Sequence, residues 1–368
     1  MHRPPRTAWT IGAQAVAGSI LAVSVLVGAV LPGPSATGAR TRDLRRAAPL
    51  LTQFAVADGV DVARTAAACA APAPSMSPQR PLEVPVTVVR VGSGAVVVAG
   101  VCVDGAGPFP FLVDSGSSIS VVDTRLADRF HLASAGAARR AAGIACTASV
   151  SPVRIERWSL GGAALAPQVV VAHSLPRLGA RRSIDGIVGS DVLSRFAAVR
   201  VDYRTSTLTL ASSEGAPLPA GLVTGPTARP DPALLDGKIR ADAGIDVESH
   251  DGEVAAFAPV RFRGRSALPF LVDTGAATTA VAASLVREDH LASSPGVDHV
   301  SGFGCSATLH EALSGPWSVG QAALMPRKVA ILPADGIAVD GLLGSDVLIS
   351  AGSVVLDYRA ARLVLEAG

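Results

Sequence analysis

The chain has 368 residues and a formal net charge of +2, with 49% hydrophobic and 17% charged residues. That apolar content excludes a disordered polymer. The near-balanced charge, the scarcity of aromatics and the lack of a basic run interleaved with them exclude a nucleic-acid-binding surface.

Arg3 and Arg6 precede an uncharged stretch from Ala8 to Leu31, which Pro32, Gly33 and Pro34 end. The stretch is long enough to cross a bilayer as a helix. It also has the basic, apolar and small-residue regions of a secretory signal, with Ser35, Ala36 and Ala39 near the break. Residues 1–39 are therefore read as a signal peptide or membrane anchor forming an N-terminal hydrophobic helix. Arg40, Arg42, Arg45 and Arg46 outnumber Arg3 and Arg6, which by the positive-inside rule argues against a simple anchor. The Gly/Pro/Ser break favours export, so the chain is expected outside the cytoplasm, secreted or membrane-anchored. Residues 40–84 form a leader, Pro-rich from Ala71 to Pro85.

Beyond the leader, Val86–Val91, Ala95–Val103 and Phe109–Asp114 are rich in β-formers and bounded by Gly or Pro, so they read as strands. A short helix is expected around Asp123–Phe130 and another from Ser190, a good N-cap residue. Val199–Leu210 reads as a hairpin. Ser212–Arg240 carries five prolines and reads as a linker. After it, helices are expected around Ala282–Glu288 and from Ser345, and a hairpin over Val354–Leu365.

The order of elements repeats because the sequence repeats. Phe111-Leu112-Val113-Asp114-Ser115-Gly116 returns as Phe270-Leu271-Val272-Asp273-Thr274-Gly275, an offset of 273 − 114 = 159. The same offset relates Cys146 to Cys305, Trp158 to Trp317, and His131-Leu132-Ala133-Ser134 to His290-Leu291-Ala292-Ser293. After a four-residue deletion, Asp185-Gly186-Ile187-Val188-Gly189-Ser190-Asp191 matches Asp340-Gly341-Leu342-Leu343-Gly344-Ser345-Asp346, and Asp202-Tyr203-Arg204 matches Asp357-Tyr358-Arg359. Two all-β lobes follow, residues 85–211 and 243–368, joined by the Pro-rich segment 212–242.

One Asp per copy gives a chemical reading. Hydrolysing an amide without a metal or a side-chain nucleophile requires deprotonating a water while protonating the carbonyl oxygen. Two carboxyl groups sharing one proton do both. Held about 3 Å apart they cannot both ionise, so one keeps a proton while the other loses it. Asp114 and Asp273 are therefore the candidate catalytic pair. Ser115 and Thr274 supply hydroxyls that can bond across an axis between the copies, and Gly116 and Gly275 let the backbone turn close to the carboxylates.

These motifs resemble the aspartic peptidases of the retropepsin and pepsin type, whose signature is Asp-Thr/Ser-Gly after a hydrophobic strand with a later hydrophobic-hydrophobic-Gly. Here the later elements end in Gly189 and Gly344. The resemblance covers both copies. It implies two retropepsin-like lobes about a pseudo-two-fold axis, an endopeptidase acting on a peptide or protein substrate, no cofactor or metal, and a monomer as the working unit. It departs from the pattern in placing Ser190 and Ser345 where retropepsins usually carry Arg, and in having no flap tyrosine. Ala142–Thr147 and Ser301–Ala307 fall where flaps belong. A catalytically silent, envelope-associated peptide-binding protein of the same fold is the alternative.

Three finer expectations follow. Ser117, three residues after Asp114, has Ala276 as its equivalent in the second copy, so its hydroxyl is expected to favour an ionised Asp114 and leave the proton on Asp273. Asp191, Asp346, Asp202 and Asp357 are read as structural, His131 and His290 as surface or capping residues, and Trp158 and Trp317 as lobe core. Cys146 and Cys305 are either buried free thiols or a bridge between the flaps, and Cys69–Cys102 is a second pairing to consider. With no C-x-x-C and no H-E-x-x-H, a metal site is not expected.

Overall fold

The computed structural model describes residues 81–367 apart from 145, 176, 179–181, 212–220, 230–233, 236, 264, 304 and 334–338. It also describes Cys69 and the two-residue strands Ala22–Val23 and Val27–Gly28. Apart from these four residues, which are strand, the expected N-terminal helix lies outside the described residues, as does most of the leader. Among the described residues no helix is long and apolar enough to cross a membrane.

Each copy folds as expected, into mostly strand. In the first lobe Leu82–Val91, Gly94–Val103 and Ala106–Val113 form an antiparallel meander. The middle strand, Gly-Ala-Val-Val-Val-Ala-Gly-Val-Cys-Val, is buried along most of its length. Apolar residues on both faces of a strand suit one covered on both sides. The third strand is half-buried at its start and buried at Phe111, Leu112 and Val113, so it carries the chain inward to Asp114. The second lobe repeats the meander with Asp246–His250, Glu253–Phe262 and Leu268–Val272.

In each lobe the strand ending in Asp is joined by a parallel partner from far along the chain. Gly186–Val188 pairs with Phe111–Val113, and Gly341–Leu343 with Phe270–Val272. Helices Ser190–Leu193 and Ser345–Ala351 follow these partners. Their caps are Gly189 and Gly344, with no side-chain capping bond. The serines expected as caps are instead the first helical residues, and their hydroxyls turn inward. Helices Thr124–Arg129 and Ala283–Glu288 form where expected. Each is followed shortly by a histidine in the left-handed region, His131 at φ 48° and His290 at φ 49°.

The two lobes share one sheet. Leu82–Pro85, Thr207–Leu210, Ala198–Asp202, Ser353–Asp357, Arg362–Ala367 and Lys238–Gly244 lie side by side in that order, all antiparallel. At its centre Ala198–Asp202 pairs with its repeat equivalent, residue 198 opposite 357 and 202 opposite 353. A strand pairing antiparallel with its own counterpart places the pseudo-two-fold axis there. Part of the segment read as a linker is therefore strand: Lys238–Gly244 joins this sheet, and Gly221–Thr224 pairs with Asp246–Ser249. The centre is pinned by buried charge. Arg200 reaches Asp202 of its own strand at 3.0 Å and, across the axis, Glu366 at 3.3 Å.

Candidate active site

The Asp114 and Asp273 loops meet on the axis. Ser115 Oγ donates to the Val272 carbonyl at 2.8 Å, and Thr274 Oγ1 donates to the Val113 carbonyl at 2.9 Å. Each hydroxyl also accepts from the other loop's backbone: the Ser115 amide donates to Thr274 Oγ1 at 3.0 Å, and the Thr274 amide to Ser115 Oγ at 3.1 Å. Four reciprocal bonds between buried groups fix one loop against the other, as a rigid site requires.

The glycines bring the carboxyl groups together. A Cβ on Gly116 would stand 2.3 Å from Asp273 Cγ, and one on Gly275 would stand 2.3 Å from Asp114 Cγ. No side chain fits at either position, so each carboxyl rests on the other lobe's glycine. Gly189 and Gly344 are required by the same kind of close approach: a Cβ there would lie 2.7 Å from the Ser117 carbonyl oxygen and 2.6 Å from the Thr278 carbonyl carbon, respectively. These glycines support the Asp loops from behind.

Both aspartates are completely buried, each at 0% exposure. Oδ1 of Asp114 accepts the amides of Gly116 and Ser117, and Oδ1 of Asp273 accepts those of Gly275 and Ala276. Oδ2 of Asp114 meets no other donor among the described residues, while its carboxyl lies within hydrogen-bonding contact of the Asp273 carboxyl. Two facing acceptors satisfy one another only through a shared proton. Burial pushes the Asp114 carboxyl well above the ordinary carboxylate range, and the facing Asp273 charge pushes it further, against the pull of the two amides. That combination keeps a proton in the pair where isolated carboxyls would have lost it.

Ser117 does not act as expected. Its hydroxyl donates to the Ile119 carbonyl at 2.6 Å, and only its amide reaches Asp114. Ala276 supplies the same amide to Asp273, so position three after the Asp works through its backbone, and the Ser/Ala difference does not bias the pair. The asymmetry lies one layer further out. Ser190 Oγ donates to the Ser115 carbonyl at 2.7 Å and contacts the Tyr358 hydroxyl at 2.8 Å. With the Ser190 proton committed, Tyr358 donates to Ser190. The equivalent Ser345 instead accepts the Ala95 amide, and the buried Tyr203 hydroxyl meets no partner among the described residues.

The flaps form where the sequence placed them, as hairpins Arg139–Gly143/Thr147–Ile155 and Ala292–Ser301/Ser306–Leu313. Their tips cross the axis. Phe303 of the second flap is fully buried in a first-lobe cluster with Val96, Leu112, Ile119 and Ile187. Ile144, its repeat equivalent, is buried in a second-lobe cluster with Leu271, Ala276 and Leu342. Sequence reading missed both residues. The signal was available, since 303 − 144 = 159 pairs two large apolar side chains within tips otherwise made of small residues. Cys146 and Cys305 join these tips in a disulfide with Cα atoms 6.4 Å apart, and Cys69–Cys102 forms as well, so no described cysteine is free.

The remaining expectations concern support. Asp191 accepts Ser120 Oγ and Gln168 Nε2, while Asp346 accepts the Thr279 hydroxyl and pairs with Arg327. Trp158 and Trp317 are buried, with their indole N–H groups donating to the carbonyls of Ala166 and Met325.

A family model described as aspartyl protease matches residues 99–192 and 258–347, half of the chain and both copies. The chain belongs to the aspartyl protease family. Each match contains one Asp motif and its distal Gly, so the protein carries two retropepsin-like repeats of this family in one chain. Comparison with curated proteins returned no match.

Proposed function

We propose that the protein is an aspartic endopeptidase in which Asp114 and Asp273 together activate a water for attack on a peptide bond. The observation that carries this reading is the facing of the two buried carboxyls, each seated on the other lobe's glycine, with Asp114 held well above the ordinary carboxylate range. With one proton in the pair, the ionised member takes a proton from water as the hydroxide attacks, and the protonated member gives its proton to the carbonyl oxygen. The tetrahedral intermediate then collapses as the amine leaves with a proton from the pair. The pair titrates as a unit, so neither role belongs permanently to one residue. Thr274 and Ser115 hold the two loops at this distance, and no cofactor takes part.

The pseudo-two-fold supplies both halves of the site within one chain, so the working unit is a monomer. The two disulfides favour a compartment outside the cytoplasm, where such bonds persist. The N-terminal segment then serves as export signal or anchor.

Cleavage of a mixed linear peptide library at several acid and neutral pH values tests the assignment. Asp114→Asn and Asp273→Asn should each lower turnover by roughly 10⁴-fold or more, as expected when two residues act as one unit. Peptide binding with no cleavage by wild-type protein at any pH would instead make this a silent binding protein.

A further inference from the structure

The flap tips are joined to each other both covalently and by packing. The Cys146–Cys305 bridge ties them covalently. Beside it Cys146 Sγ lies 3.5 Å from the Phe303 carbonyl, and a Cβ on Gly143 would stand 2.6 Å from that same oxygen. Phe303 is anchored in one lobe and Ile144 in the other, and the Phe303 ring lies 4.3 Å from that of His173 on the first lobe. Opposite this roof the Asp loops are bonded to each other four times, and behind them the six-stranded sheet joins the lobes. Roof, walls and floor therefore close on themselves. Both carboxyls are sealed from solvent.

A second observation shows what such a ring accommodates. Ala22–Val23 runs parallel to Ala142–Gly143 of the first flap, and Val27–Gly28 runs antiparallel to Val300–Ser301 of the second. Each uses the flap-strand edge that its hairpin partner leaves open. A single extended chain crossing a two-fold axis must meet one flap in parallel and its equivalent in antiparallel sense. Both flap edges are thus open to main-chain pairing with an extended segment, a mode that tolerates many side chains.

We propose that the Cys146–Cys305 bridge makes the cleft a closed ring that admits polypeptide only by threading from a chain end. The oxidised protein then acts on extended ends and unfolded tails and excludes closed loops. This rests on the endopeptidase reading for its chemistry but not for its topology. Cutting the bridge opens the roof: a dithiol gives two electrons and two protons to the sulfurs and leaves as its own disulfide, and the cleft then accepts an internal loop from the side.

The test compares two forms of one probe, residues 20–30 flanked by lysines, made linear and head-to-tail cyclised. Binding is read by fluorescence anisotropy on full-length Asp114→Asn protein, and again with Cys146→Ser and Cys305→Ser added. Only the linear-to-cyclic ratio is used, so any competing segment of the chain affects both probes alike. The oxidised protein should prefer the linear probe by roughly 100-fold or more, and the bridge-free protein by less than about 3-fold. Reduced protein without the serine substitutions gives the same comparison if the double variant does not fold. Equal binding of both forms to the oxidised protein overturns the proposal, and so does failure of the linear probe to bind either form. If the linear probe binds but protein with native Asp114 does not cleave it, the peptidase reading fails while the ring stands.

Discussion

Thr274→Val removes the hydroxyl that locks the two Asp loops while keeping the side chain's shape. The substitution deletes the bond donated to the Val113 carbonyl at 2.9 Å and the one accepted from the Ser115 amide at 3.0 Å. Thr274 is 5% exposed and Ser115 1% exposed, so water does not readily replace either bond. A buried group left without its partner costs about 1–3 kcal/mol, so the pair of losses should destabilise the protein by about 2–5 kcal/mol. Urea unfolding of the oxidised protein measures this directly, with Thr274→Ser as the control that restores both bonds to within about 1 kcal/mol. Turnover should fall with Thr274→Val as well, because the grip sets the separation of the carboxyls. A Thr274→Val protein within about 0.5 kcal/mol of wild type would refute the reasoning, since the four bonds would then be incidental to how the lobes are held.

Three further outcomes are expected. Arg200→Met should destabilise the protein by about 3–5 kcal/mol in thermal or urea unfolding, because it removes the guanidinium beside the fully buried Glu366 carboxylate, while Asp202 keeps its pair with Arg204. Gly116→Ala should eliminate peptide cleavage, since its Cβ would need the space of the Asp273 carboxyl; normal turnover in this variant would contradict the seating described above. Glu253, in contact with Ser118 and facing Arg139, Asp191 and Asp251, is pushed by burial to about 7, against an ordinary value of 4.5. A raised carboxyl favours the fold while protonated, so its ionisation costs stability as pH rises from the unfolded value through about 7, by a total on the order of 3 kcal/mol. Asp191, raised by burial to about 6, adds a slope of the same sign. Glu253→Gln should flatten much of the decline in unfolding free energy between acid and neutral pH, and an unchanged slope would count against this account.

The repeat alone determined the architecture. An offset of 159 residues relating Asp114 to Asp273 implies two like units, and a hydrophobic strand before each Asp with a distal Gly later fixes which strands must meet. Gly116, Gly275, Gly189 and Gly344 were legible because a close approach of backbones leaves glycine as the only residue that fits. What the sequence could not decide is where a hydroxyl points. Ser117 and Ser190 are both serines near the site, yet Ser117 turns to the Ile119 carbonyl two residues on, whereas Ser190 reaches the Ser115 carbonyl 75 residues back. The serines expected as helix caps were misjudged for the same reason, since a local capping preference lost to a buried long-range bond. Tyr358 meeting Ser190 and Phe303 and Ile144 exchanging lobes depend on contacts across the pseudo-two-fold, and the strand Lys238–Gly244 within a Pro-rich stretch depends on its pairing with the distant strand Arg362–Ala367. Periodicity reports which face of an element is apolar. Only the assembled lobes determine which distant surface that face will meet.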